Sequence, residues 1–253
     1  MEHIHRFRMI PVVVALSFAT AFGGAQANPP ASPTSNTPSP PPSNAKLDGN
    51  LFYEILLGEV TTRTGDPGAG YALILDAARR SRSEQLYQRA ADIALQSRSG
   101  EYALAAAKAW QEDHPQSREA NRYVLQILIA LNKVGETAGP LRQFIEQAPL
   151  PNRVGILSAV PQMYGRIADK AAAVSAVKEA FKGELENRST GAAAWISLGR
   201  LQLAADDKAG SLQSLAKSKA MDPAYEGQAR LALELMDEGI SAAEPFVQQY
   251  LEK

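Results

Sequence analysis

The chemistry open to this chain is bounded by three histidines and no cysteine. His3 and His5 fall in a leader-like start, which leaves His114, in Asp113-His114-Pro115. A general base or metal ligand needs partners within reach, and nothing in the sequence places any beside His114. Before a proline it reads as the end of a helix. The missing thiol excludes a cysteine nucleophile, a Cys-ligated zinc or iron–sulfur site, a disulfide and a lipid-modified cysteine. With one remaining histidine, a Ser-His-Asp triad has a single possible base and a His-rich metal site cannot be built.

Two other constellations invite chemistry and have simpler readings. Gly65-Asp66-Pro67-Gly68-Ala69-Gly70 resembles a phosphate loop, but it lacks the Gly-Lys-Ser/Thr ending and follows a helix instead of a strand, so it reads as a turn between antiparallel helices. Asp206-Asp207 reads as a helix cap. Glu234, Asp237 and Glu238 share one helical face at spacings of three and four, a solvated acidic face whose repulsion a cation would relieve. No catalytic set, cofactor site or metal site is expected.

The elements that carry these residues are helical. After Asn50 the apolar residues recur with helical period and no alternating stretch of useful length appears. Within this pattern stand Trp195, Leu198-Gly199, Leu215 and Met221-Asp222-Pro223. The small Gly199 admits a second helix, Leu215 packs back from it, and Asp-Pro ends the unit. Leu57-Gly58 is followed by Gly70, Ile74 and Ala77, the same small, large, small series. One unit later Ala91 takes the glycine's place, with Ala103, Ala107 and Pro115 following. Pro115 and Pro149 lie one repeat length apart. Units are expected near 48–82, 83–115, 116–150, 151–190, 191–223 and 224–253, the fourth lengthened by the polar stretch Gly183 to Gly191. Trp110 and Trp195, among alanines, read as packing elements.

Units of about 34 residues with these marks resemble the tetratricopeptide repeat, and the stretch from Leu51 to Trp110 is similar to exported Gram-negative members of that family. The resemblance implies an all-α, right-handed solenoid of about six helix-turn-helix repeats over residues 51–253. It also implies a non-catalytic role in binding other proteins. The fifth unit carries most of the signature, although Gln202, Ser211 and Ser218 replace the family's Tyr, Ala and Ala.

In such a stack the first helices line a concave groove. The family's groove-facing positions fall here on Glu59 and Arg63, on Gln88, Arg89 and Asp92, on Arg122, Tyr123 and Gln126, and on Arg200. The resemblance thus implies a polar wall with four arginines able to fork onto carboxylates or stack on aromatic rings, with Arg89 and Arg122 meeting one acidic ligand together. Members that clamp a chaperone's terminal carboxylate use Lys and Asn where Gln88, Asp92, Arg122 and Gln126 stand, so a different ligand is expected.

Ahead of the repeats, Arg6 and Arg8 precede an apolar run from Met9 to Ala21, and Ala25-Gln26-Ala27 forms a small-x-small site. The run, about 13 residues, is short of the ~20 needed to span a bilayer. Residues 1–27 read as a cleaved export signal, which points to the periplasm first and secretion second, with no transmembrane segment in the mature chain. Residues 28–50 hold seven prolines and read as an extended, disordered linker. The net charge is −1, and removing residues 1–27 makes it one unit more negative, which argues against nucleic acid as a partner. The sequence thus predicts a scaffold or adaptor of the bacterial cell envelope that binds a peptide or protein segment, the alternative being an envelope assembly or glycan-binding component that uses the same groove.

Overall fold

The computed structural model describes residues 49–251. The expected signal, residues 28–48 of the expected linker and the last two residues lie outside them. Among the described residues there are helices and turns and no strand. The helices come in chain-order pairs: α1 (Gly49–Arg63) with α2 (Pro67–Ser81), then α3 (Glu84–Gln96) with α4 (Gly100–Asp113). The third pair is α5 (Arg118–Ala130) and α6 (Ala138–Glu146), joined through a 3-10 turn at Val134–Glu136. Next come α7 (Leu150–Met163), α8 (Lys170–Ala180) and the short α9 (Lys182–Leu185), then α10 (Gly191–Ala204) with α11 (Lys208–Met221). The last pair is α12 (Gly227–Asp237) and, after a 3-10 turn at Ser241–Ala243, α13 (Glu244–Leu251).

Local chemistry sets these boundaries. The carboxylates of Asp66, Asp169 and Asp207 accept from the backbone amides of Ala69, Ala172 and Gly210 at 2.8–2.9 Å, capping α2, α8 and α11. Ser117 does the same for α5. The glycine-rich stretch Gly65 to Gly70 is such a turn, as expected: Gly65 takes a left-handed φ of 107°, Asp66 caps and Pro67 occupies the first helical turn. Gly70 is needed for close approach, since a Cβ there would lie 2.0 Å from Thr62 Oγ1 and 2.8 Å from the Gly58 carbonyl oxygen.

Small residues in the helix pairs let large ones fill the layers between them. Ile74, Leu75, Tyr87, Ile93 and Trp110 form one cluster across α2, α3 and α4. Leu104, Val124 and Leu128 continue it into α5, a larger cluster runs from Leu125 to Leu201, and Ile196, Leu215, Leu231 and Leu235 close the far end. Trp110 is buried as expected, its indole N–H donating to Glu84 at 2.9 Å. Trp195 is half-buried, donates to the Leu185 carbonyl oxygen and lies under the Lys217 ammonium.

The fourth unit departs from the pattern. The backbones of α7 and α8 do not run close together; α7 lies against α10, while α8 lies against α6 and α10. Tyr164, Leu157 and Val177 fill the space between them, and burial raises the Tyr164 hydroxyl pKa to about 12. The extra length of this unit is α9 and the turn after it. There the buried Glu184 accepts from Arg153 Nη1 at 2.8 Å and from Thr190 Oγ1 at 2.5 Å. α7 also contains Pro161, which cannot donate to the carbonyl of Leu157 one turn earlier.

Candidate functional site

The first helices α1, α3, α5, α7, α10 and α12 carry the residues expected to form the groove. Their side chains join one another across the repeat step. Arg89 on α3 forks onto Glu59 on α1, with Nε and Nη2 at 2.6 and 2.7 Å from the two carboxylate oxygens. Tyr123 on α5 donates its hydroxyl to Asp92 on α3 at 2.9 Å and accepts from Gln88 Nε2 at 3.0 Å. Arg200 on α10 forks onto Glu234 on α12 at 3.0 and 2.5 Å. Arg122 pairs with Glu119 on its own helix, bonds Gln126 Oε1 at 3.1 Å and lies 5.2 Å over the Tyr123 ring.

The electrostatics follow from these pairs. A hydrogen bond from Arg89, with its charge, holds the Glu59 carboxyl below the usual range, and Arg63 at the end of α1 adds to that field. Arg122 does the same to Glu119. Burial raises the Tyr123 hydroxyl, and Asp92 reinforces this.

This arrangement corrects the picture of free arginines on a groove wall. Arg89, Arg122 and Arg200 each face a carboxylate of this chain, so Arg89 and Arg122 do not form a ready cationic pair for one acidic ligand. For Arg89 and Arg200 the reason is the repeat itself, since complementary residues about one unit apart meet on neighbouring helices; Arg122 is taken by Glu119 one turn earlier on its own helix. Two of the three acidic residues at the end of α12 are likewise already compensated, Glu234 by Arg200 and Arg230, and Glu238 by Lys208. His114 ends α4, with Nε2 2.8 Å from the Arg82 carbonyl oxygen and its ring edge-on to Tyr87. Among the described residues no cluster of three or more His, Asp or Glu side chains is disposed to hold a metal ion.

Where the ladder breaks, a cleft opens. Between α5 and α7, a cavity of about 460 Å³ is lined by Leu125, Phe144, Ile156, Ala159 and Met163, with Arg122, Gln126, Asn152 and Gly155 also on its wall. Leu125 is buried, and Phe144, Ile156 and Met163 are half-buried. Of the residues expected to face a ligand, Arg122 and Gln126 are here. Arg200 lies instead in a broader depression of about 840 Å³ between α7, α10 and α12, whose walls mix Lys170, Arg200 and Arg230 with Glu234, Asp237 and Glu238. Sequence reasoning missed Phe144, Ile156 and Met163 because an apolar residue at helical spacing reads as core whether or not a neighbour covers it.

No protein-family model matches the chain, and no curated protein does. Among solved structures, MamA from Desulfovibrio magneticus RS-1 is 12% identical, with a TM-score of 0.39 over 71% of this chain and 98% of its own. PilW, described as a widely conserved type IV pilus biogenesis factor, is 15% identical with a TM-score of 0.35, covering 81% of this chain and 91% of its own. A tetratricopeptide repeat protein from Parabacteroides merdae is 13% identical with a TM-score of 0.39, covering 81% and 80%. The successive helix pairs, their small-residue contacts and the ladder between first helices define this chain as an all-α protein of repeated helix pairs.

Proposed function

We propose that this chain is a non-catalytic scaffold or adaptor of the bacterial cell envelope, which takes a segment of another protein along its first helices and anchors it in the cleft between α5 and α7. The apolar lining of that cleft carries the reading: it is open to solvent, backed by Phe144, Ile156 and Met163, and suited to an aliphatic or aromatic anchor side chain. Arg122 and Gln126 at the same wall supply polar groups that fix the orientation of a bound backbone. The glycan reading has less support. Sugars favour exposed aromatic faces, whereas the Tyr123 ring lies against Trp110 at 5.5 Å and its hydroxyl is engaged by Asp92. Assignment to the periplasm rests on residues 1–27 alone, and N-terminal sequencing of the exported protein tests it, with Asn28 the expected first residue.

The cleft is tested by filling it. A Cβ at Gly155 would meet no heavy atom within 4 Å, so Gly155→Leu occupies the cleft without straining the fold. A photo-crosslinker placed at Gln126 should capture a partner protein in envelope preparations. Gly155→Leu should reduce that yield at least tenfold while the melting temperature stays unchanged. Equal capture from a crosslinker at Arg79, or an undiminished yield with Gly155→Leu, overturns the assignment.

A further inference from the structure

The first helix of the stack presents an apolar face that nothing in the described residues covers. Phe52, Tyr53, Leu56, Leu57 and Val60 are exposed by 55, 65, 50, 39 and 48%. Their spacing places them on one side of α1, over about two and a half turns. Scattered exposed apolar residues are ordinary, but a contiguous stripe marks an interaction surface.

The repeat shows what kind of object belongs there. Aligning Gly58 with Ala91, one unit on, sets Tyr53, Leu57 and Val60 against Leu86, Ala90 and Ile93 of α3. Ala90 and Ile93 are 0% and 1% exposed, packed in one cluster with Ile74, Leu75 and Ala78 of the preceding α2, and Leu86 lies against the same cluster. On α3 these three positions are covered by a helix, while the equivalents of Phe52 and Leu56 are the exposed Gln85 and the half-buried Arg89. Among the described elements none precedes α1, whose main helix contact is with α2, and the equivalent face is exposed.

We infer that the face of α1 formed by Phe52, Tyr53, Leu56, Leu57 and Val60 is a dimerisation surface, on which α1 of a second copy of this chain packs about a twofold axis. Two observations favour a second copy paired this way. First, the five stripe residues carry no charge and the two carboxylates of α1 are already paired within the chain, Glu54 with Arg80 and Glu59 with Arg89; the exposed Arg63 closes α1, so an antiparallel twofold pairing centred on Leu56 keeps the two Arg63 side chains at opposite ends of the contact. Second, the opposite end of the stack offers no matching stripe. α13 has eight residues, Gln248 and Gln249 interrupt its outer turns, and its exposed large apolar residues, Tyr250 and Leu251, sit together at its end. Head-to-tail stacking therefore lacks a complementary surface, whereas a twofold pairing needs only the stripe itself.

The area fits a reversible dimer. Apolar and aromatic side chains of this size bury roughly 150–250 Å² when wholly covered; at these exposures the stripe contributes on the order of 500 Å² per copy, or ~1,000 Å² in total. That is near the lower bound for specific association, so a dimer that dissociates in the micromolar range is expected.

Sedimentation velocity and light scattering of the full chain across a concentration series test this. The mass should rise from that of one chain to twice that value over micromolar concentrations. Leu56→Glu should weaken the association at least a hundredfold without lowering the melting temperature. Because the chain has no cysteine, Leu56→Cys gives a single thiol at the middle of the stripe, which should form a disulfide-linked dimer on mild oxidation. Tyr102→Cys, at a more exposed position on α4, should not. A wild type that stays monomeric at high micromolar concentration, growth beyond the dimer, or equal crosslinking of the two cysteine variants overturns the inference and leaves the stripe to a different partner.

Discussion

Ser197 on α10 donates to the carbonyl oxygen of Leu157 on α7 at 2.7 Å, and that carbonyl is the one Pro161 leaves without its helical partner. The hydroxyl is buried. A proline inside a helix normally exposes a polar defect; here the next first helix fills it, and the contact fixes how α10 meets α7. Ser197→Ala should cost about 1–3 kcal/mol, the price of leaving a buried acceptor unsatisfied. In a Pro161→Ala background the alanine amide can close on Leu157, so the same serine substitution should cost markedly less. Urea denaturation of the four proteins measures the coupling, and strictly additive effects would reject the account.

Arg89 and Glu59 form the corresponding contact between α3 and α1, with side chains 31% and 27% exposed. A double-mutant cycle with Arg89→Gln and Glu59→Gln should give a coupling of about 0.5–1 kcal/mol. Arg89→Glu would set two carboxylates against each other, so its effect on any partner must be read against its effect on stability. Zero coupling would mean the fork is not maintained in solution.

Acid should weaken the ladder. The carboxyls of Glu59, Glu84 and Glu119 are held low, chiefly by hydrogen bonds from Arg89, Ser117 and Arg122. Groups lowered in the folded state contribute stability that is complete above their ordinary value of 4.5 and is lost as pH falls through the folded values. Melting temperature should be nearly flat from neutral pH to about pH 5 and fall below it. Glu59→Gln should make that fall shallower; a slope identical to wild type would remove Glu59 from the explanation.

Two glycines should respond oppositely to alanine. Gly70→Ala forces a Cβ against the backbone of α1, which cannot yield as a side-chain tip can, and should cost about 1–3 kcal/mol. Gly139, in the first turn of α6, has nothing within 4 Å of its Cβ position. Gly139→Ala should be neutral or stabilising by up to about 1 kcal/mol. Thermal melts that rank the two the other way would contradict the close approach of α1 and α2.

Removing residues 224–253 should strip Leu231 and Leu235 from the cluster that contains Ile196 and Leu215. The clusters spanning α2 to α5 share no residue with it, so hydrogen exchange should show α10 and α11 loosened and α3 to α5 still protected. Uniform loss of protection would indicate one cooperative core.

The sequence by itself determined the elements. Helical period after Asn50, Asp66 and Asp207 before their helices, the small residues at Gly58, Gly70 and Gly199, and the prolines between units are local signals, because capping, φ restriction and side-chain volume act within a few residues. The repeat length was legible for the same reason, and it placed Glu59, Arg89, Tyr123 and Arg200 on first helices. Their state was not legible. Whether Arg89 faces a ligand or Glu59, whether α7 runs close to α8 or to α10, and whether Phe144 and Ile156 lie beneath a neighbour or line a cleft depend on interhelical distances between residues some 30 positions apart. No local preference encodes those distances. They are set by how the volumes of all the buried side chains fill the layers between helices, and only the tertiary structure decided them.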